Sequence, residues 1–287
     1  MKRVVGVLAL LLAGISQPML SQHAAAQDVS ELKANSQVVI EYVEPTKPYL
    51  RSVYDRMKQR QFLEQLQQFL SPLRLPVTLP IRMLECGETN AYYQPSGPQR
   101  GLQLCYEYPE FVGRMAPAET TPEGFTREEV ILGGFLSVVF HELGHAVFHL
   151  LDVPMFGREE DAADQISAFI MLQFGKNVAR RTLTGGAYVW QAFYSGRSPW
   201  PRTLYSDTHG HDLQRYYNIL CIAYGGDPET FKALVESGPL PPERARNCGR
   251  EYQQIRRAFV DTILPHIDQD LMKKVQARDW LRPDDGK

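Results

Sequence analysis

VVFHELGHAVFHLLDVPMFGREEDAADQ, Val138–Gln165, holds three histidines and six acidic side chains within twenty-eight residues. Upstream, Thr126 is followed three residues later by Glu129, a capping box that starts a helix. The helix is apolar almost all round, as a buried helix is. Pro154 and Gly157 break the pattern, and a second helix is predicted from about Glu159 to Phe174.

Residues four apart on a helix share a face, so His141 and His145 can aim their imidazoles at one point, with Glu142 beside them. A catalytic zinc takes three protein ligands and leaves one position open, and a nearby carboxylate can take a proton from water there. HExxH on a helix supplies two ligands and that base. The bland alternative is two histidines that merely share this spacing. The apolar flanks, Val138–Phe140 and Ala146–Phe148, weigh against it, because buried imidazoles and carboxylates need partners and a metal supplies one.

His149 lies one turn beyond His145, where a straight helix cannot wrap three successive turns round one ion, and reads as a core or supporting residue. Asp152 falls at the helix end, a common place for a solvated carboxylate. Glu160 and Asp164 share a face of the second helix, so Glu160 can reach zinc while Asp164 accepts the remaining N–H of His141. Glu159 and Asp161 are expected to face away, as solvated charges at the positive end of that helix.

The rest of the chain frames this site. Lys2 and Arg3, an apolar run from Val4 to Ala13 and the small step Ala24-Ala25-Ala26 form a leader expected to be cut after Ala26. The expected location is therefore the periplasm or the outside of the cell. No later stretch reaches the roughly 18 apolar residues that a membrane-spanning helix needs, so no integral membrane segment is expected after cleavage. With 31 basic against 33 acidic side chains and no basic run interleaved with aromatics, nucleic acid is an improbable partner. Residues 27–287 read as one domain, with a sheet-containing part over about 38–150 and a helical part over about 159–275.

Strands are predicted at Val38–Val43, Val77–Cys86 and Leu102–Tyr106, with Gly87–Gly101 as the loop between the last two. One long amphipathic helix is predicted from about Tyr49 to Leu70, and further helices near Val178–Tyr194, Asp212–Ala223 and Glu243–Ile263. Strands early and helices late is the α+β order. The four cysteines allow three connectivities; sequence proximity favours Cys86 with Cys105 and Cys221 with Cys248. Pro95–Gly101 and Ala118–Phe125 read as surface loops.

HELGH at 141–145 with EDAAD at 160–164 resembles the gluzincin pattern, HExxH followed by ExxxD on a second helix, as in thermolysin and in the prenyl-protein and heat-shock membrane peptidases. The resemblance implies His141, His145 and Glu160 as zinc ligands and Glu142 as general base. It also implies a small antiparallel sheet packed on the HExxH helix, in which Leu102–Tyr106 is an edge strand that pairs with extended substrate. DTHGHDLQR, Asp207–Arg215, is similar to the THPxxxxR segment of the membrane peptidases, with Gly210 where they have proline. His209, in that segment, is a candidate to hold the oxyanion and Arg215 a second candidate or a binder of the substrate carbonyl; Tyr92 or Tyr93 could also swing in as a phenol donor. CGETNAYYQP, LCYE and HDLQRYYNILCIAYG, taken with the HELGH–EDAAD block, resemble an exported bacterial family named as metallopeptidases, over about residues 38–262. The function implied is hydrolysis of peptide bonds in a peptide or protein by a zinc endopeptidase. Two other readings fit the residues: a zinc hydrolase of another amide or ester, and an exported binding or envelope-assembly protein with an idle site.

Overall fold

A computed structural model describes residues 35–120, 126–194, 206–236, 238–278 and 280. The leader and Thr121–Phe125 lie outside the described residues. The fold is α+β: a four-stranded sheet, then helices for most of the C-terminal half.

The strands are β1 (Val38–Tyr42), β2 (Leu79–Leu84), β3 (Ala91–Gln94) and β4 (Gly101–Cys105), in the order β1-β2-β4-β3. The expectation of an antiparallel sheet is corrected: β1–β2 and β2–β4 are parallel, and only β3–β4 is antiparallel. The connections explain the mixture. β1 reaches β2 through two helices, the long crossover that parallel pairing requires, whereas a short turn joins β3 to β4 as a hairpin. Two further expectations fall with it. Part of the stretch read as a loop is β3, and β4 is an interior strand; the edges are β1 and β3, of which β3 is the neighbour of β4.

The helix predicted over Tyr49–Leu70 is two, α1 (Arg51–Gln59) and α2 (Phe62–Phe69). They part at Gln61, which takes φ 51°. The break turns Phe62, Leu63 and Leu66 into the core, and the N–H of Leu63 at the new helix start donates to the Tyr42 phenol at 2.7 Å. A short helix α3 (Glu107–Met115), not read from the sequence, follows β4. Glu107 at its start accepts the N–H groups of Cys86 and Gly87, fixing the turn after β2.

The central helix is α4 (Arg127–Leu150). Its capping box forms as read: Thr126 Oγ1 accepts the Glu129 N–H at 3.2 Å, and the Glu129 carboxylate accepts the Thr126 N–H at 3.0 Å. Contrary to the sequence expectation, α4 is long and apolar enough by length and composition to cross a membrane, but 78% of its most apolar window is buried in the fold. That burial accounts for its apolarity. Around it pack α5 (Glu159–Met171), α6 (Lys176–Phe193) and, beyond them, α7 (Asp212–Gly226) and α8 (Pro242–Thr262). Gly133 lets α6 press against α4: a Cβ there would lie 2.2 Å from the Thr182 carbonyl oxygen. Both disulfides join the expected partners, Cys86–Cys105 beside the sheet and Cys221–Cys248 between α7 and α8.

Candidate metal centre

The site begins with a close approach of α4 to α5. Gly144, inside HELGH, faces Ala163, inside EDAAD; a Cβ on Gly144 would meet Ile166 Cγ2 at 2.7 Å and Ala163 Cα at 3.3 Å. Two small residues thus bring the helices near enough for short acidic side chains on α5 to reach imidazoles on α4. Ser167 Oγ donates to the Ser137 carbonyl at 2.8 Å one level deeper and holds the same pairing.

At that junction three imidazoles point at one carboxylate oxygen. Glu160 Oε2 lies 3.0 Å from His141 Nε2, 3.3 Å from His145 Nε2 and 2.9 Å from His209 Nε2. His141 Nε2 and His145 Nε2 are 3.1 Å apart. Ligand bonds of about 2.0–2.1 Å in a tetrahedron set neighbouring donor atoms about 3.3–3.4 Å apart. The observed separations are within a few tenths of an ångström of that. The donor set, imidazole nitrogens and a carboxylate oxygen, is one that zinc accepts. The residues present therefore fit a divalent ion, and the group His141, Glu160 and His209 meets the spacing for one. The other such group, Cys86, Cys105 and Glu107, has its sulfurs in a disulfide, which leaves no thiolate to offer.

Each imidazole is oriented from behind. His141 Nδ1 meets Asp164 Oδ1 at 2.8 Å, His145 Nδ1 meets Glu159 Oε1 at 2.7 Å, and His209 Nδ1 meets Asp207 Oδ1 at 3.2 Å. The expectation for Glu159 is therefore corrected: it turns back to hold His145. Asp161 pairs with Arg158 at 2.7 Å. Asp164 is itself held by Arg215, whose Nε and Nη2 donate to its two oxygens at 2.7 and 2.6 Å, while the guanidinium stacks on Trp190 at 3.6 Å. Arg215 is buried, with its guanidinium directed at Asp164.

A family model described as "Putative metallopeptidase" matches residues 42–263, about three quarters of the chain. The chain belongs to that metallopeptidase family. Membership implies a metal ion and, in general terms, a peptidase acting on peptides or proteins. Neither a curated protein nor a solved structure matches the chain.

The electrostatics of this metallopeptidase-family site follow from its crowding. Burial opposes charge on His141, yet its bonds to Asp164 and Glu160 prevail and push its pKa up to about 9. His141, His145 and His209 together hold the Glu160 carboxyl far below the ordinary range. Burial pushes the Glu142 carboxyl up, against the pull of His141 and His145. The main-chain N–H of Tyr93 on the edge strand β3 also favours the charged form of Glu142. The Tyr93 phenol bonds to His149 Nδ1 at 2.8 Å, and burial, with Glu88 close by, pushes the Tyr92 phenol's pKa up. His149 is exposed, so the core reading of it is also corrected. Sequence reasoning missed Asp207 as a partner of His209; the signal was its place two residues earlier, where an Asx turn takes the His209 N–H at 2.9 Å.

Proposed function

We propose that the chain is an exported zinc endopeptidase whose ion is held by His141, His145 and Glu160. The observation that supports this reading best is the convergence of two α4 imidazoles and one α5 carboxylate at 3.0–3.3 Å, next to a buried glutamate. A bound zinc supplies a Lewis acid that polarises a carbonyl and brings the acidity of water towards neutral pH. Glu142 takes the proton of the attacking water and returns it to the leaving amine. Its raised carboxyl suits that exchange, since a base works best with a pKa near the working pH.

Asp164 and Arg215 act as positioning residues: Arg215 clamps Asp164, and Asp164 fixes the tautomer and tilt of His141. Substrate adds as an extended strand to the open edge of β3. Main-chain pairing of that kind tolerates many side-chain sequences. In this reading the leader is cut after Ala26, the enzyme works in the periplasm or outside the cell, and residues 27–287 are its single domain.

The test is hydrolysis of casein by the metal-loaded protein against Glu142→Gln. The variant keeps its metal and loses activity by about 100-fold or more. Equal activity in the two refutes Glu142 as the base.

A further inference from the structure

Three of the four groups at the centre come from α4 and α5; the fourth, His209, comes from the turn before α7. The same arrangement surrounds all three histidines. Each turns Nε2 to Glu160 Oε2 and rests Nδ1 on a carboxylate: Asp164 for His141, Glu159 for His145, Asp207 for His209. That is the arrangement of a metal-ligating histidine, whose outer nitrogen bonds a carboxylate that orients the ring. His209 Nε2 thus meets Glu160 Oε2 as closely as the two α4 imidazoles do, and His141, Glu160 and His209 together meet the spacing for one ion.

We infer that His209 is a fourth protein ligand, so that the resting centre is a closed cage of three histidines and Glu160. This rests on the zinc reading above and changes what the free enzyme is. Closed four-ligand sites are inert, and catalytic sites keep a position for water. One ligand must therefore leave when substrate arrives, and His209 is the one built to do so. Its side chain is 41% exposed, against 5% for His141, 15% for His145 and 22% for Glu160. It also stands outside any helix, on a turn whose backbone is held by Asp207 and by Arg158 Nη1 on the His209 carbonyl at 3.4 Å. A resting cage makes the enzyme latent until substrate displaces one imidazole. It also assigns His209 to the metal, in place of the oxyanion role that its sequence context suggests.

The experiment loads the whole chain with cobalt(II) and compares wild type, His209→Ala and Asp207→Asn by visible absorption, by azide titration and by competition with a chelator. Circular dichroism checks that each variant is folded. In the wild type, azide leaves the cobalt spectrum unchanged. In His209→Ala the spectrum shifts, responds to azide, and affinity falls about 10–100-fold; Asp207→Asn, which keeps the imidazole, lowers affinity in the same direction but less. Coincident spectra and affinities in wild type and His209→Ala overturn the inference. If no form binds cobalt, the cage and the zinc reading fail together. If the cage behaves as expected but unfolded protein is not cleaved, the cage stands and the peptidase reading alone fails.

Discussion

Asp164 shows how much a single side chain carries here. It takes one bond from His141 and two from Arg215, and both of those partners are buried. Asp164→Ala leaves the Arg215 charge buried and unpaired, so unfolding in urea should show a loss of about 3–5 kcal/mol, along with weaker metal binding. Arg215→Lys should not rescue the site, because an ammonium cannot reproduce a two-pronged bond and a stack on Trp190 together. The pH dependence belongs to this scale as well. With the pKa of His141 raised to about 9 in the fold, against about 6.5 unfolded, the metal-free protein gains stability from its charge. That gain is complete below about pH 6.5 and is lost as pH rises towards about 9. Metal loading runs the opposite way, since it removes the proton: affinity measured by chelator competition should rise across the same window. The four-residue spacings of His141 with His145 and of Glu160 with Asp164 were legible because a helix converts spacing into direction. Glu159, His209 and Arg215 were harder, because a flexible side chain at a helix start, or one placed by a turn, goes where its partner is.

At the scale of elements, the decisive feature is how closely α4 and α5 approach. Gly144→Ala puts a methyl 2.7 Å from Ile166 Cγ2, and the helices must part or Ile166 must move. The expected cost is about 1–3 kcal/mol, and where the helices part, His141 and His145 move away from Glu160 and metal affinity should fall as well. Thermal unfolding with and without zinc measures both; an unchanged midpoint in each case contradicts the close-packing argument. The helices were readable from period and caps, and Thr126 with Glu129 placed the start of α4 to the residue. The sheet was less so. Strand order is set by contacts far apart in sequence, and β3 is only four residues among glycines and prolines, too short for alternation to show. The break at Gln61 escaped notice because both halves keep an apolar face; what divides them is a single left-handed backbone angle.

For the molecule as a whole, the two disulfides and the site divide the work between stability and chemistry. Cys86–Cys105 ties the end of β2 to β4, and Cys221–Cys248 ties α7, which carries Arg215, to α8. Their loops span 19 and 27 residues, and cross-links of that length stabilise by about 3 kcal/mol each, so reduction should lower the urea midpoint sharply. Such bonds suit the exported location proposed above. The central claim, that two helices grip one divalent ion, is tested most directly by the zinc content of the purified protein and of Glu160→Ala. The account predicts about one ion per chain in the wild type and little in the variant, with a smaller loss in Glu159→Ala, where only the outer contact to His145 goes. A wild type without bound metal, or equal losses in the two variants, would contradict it.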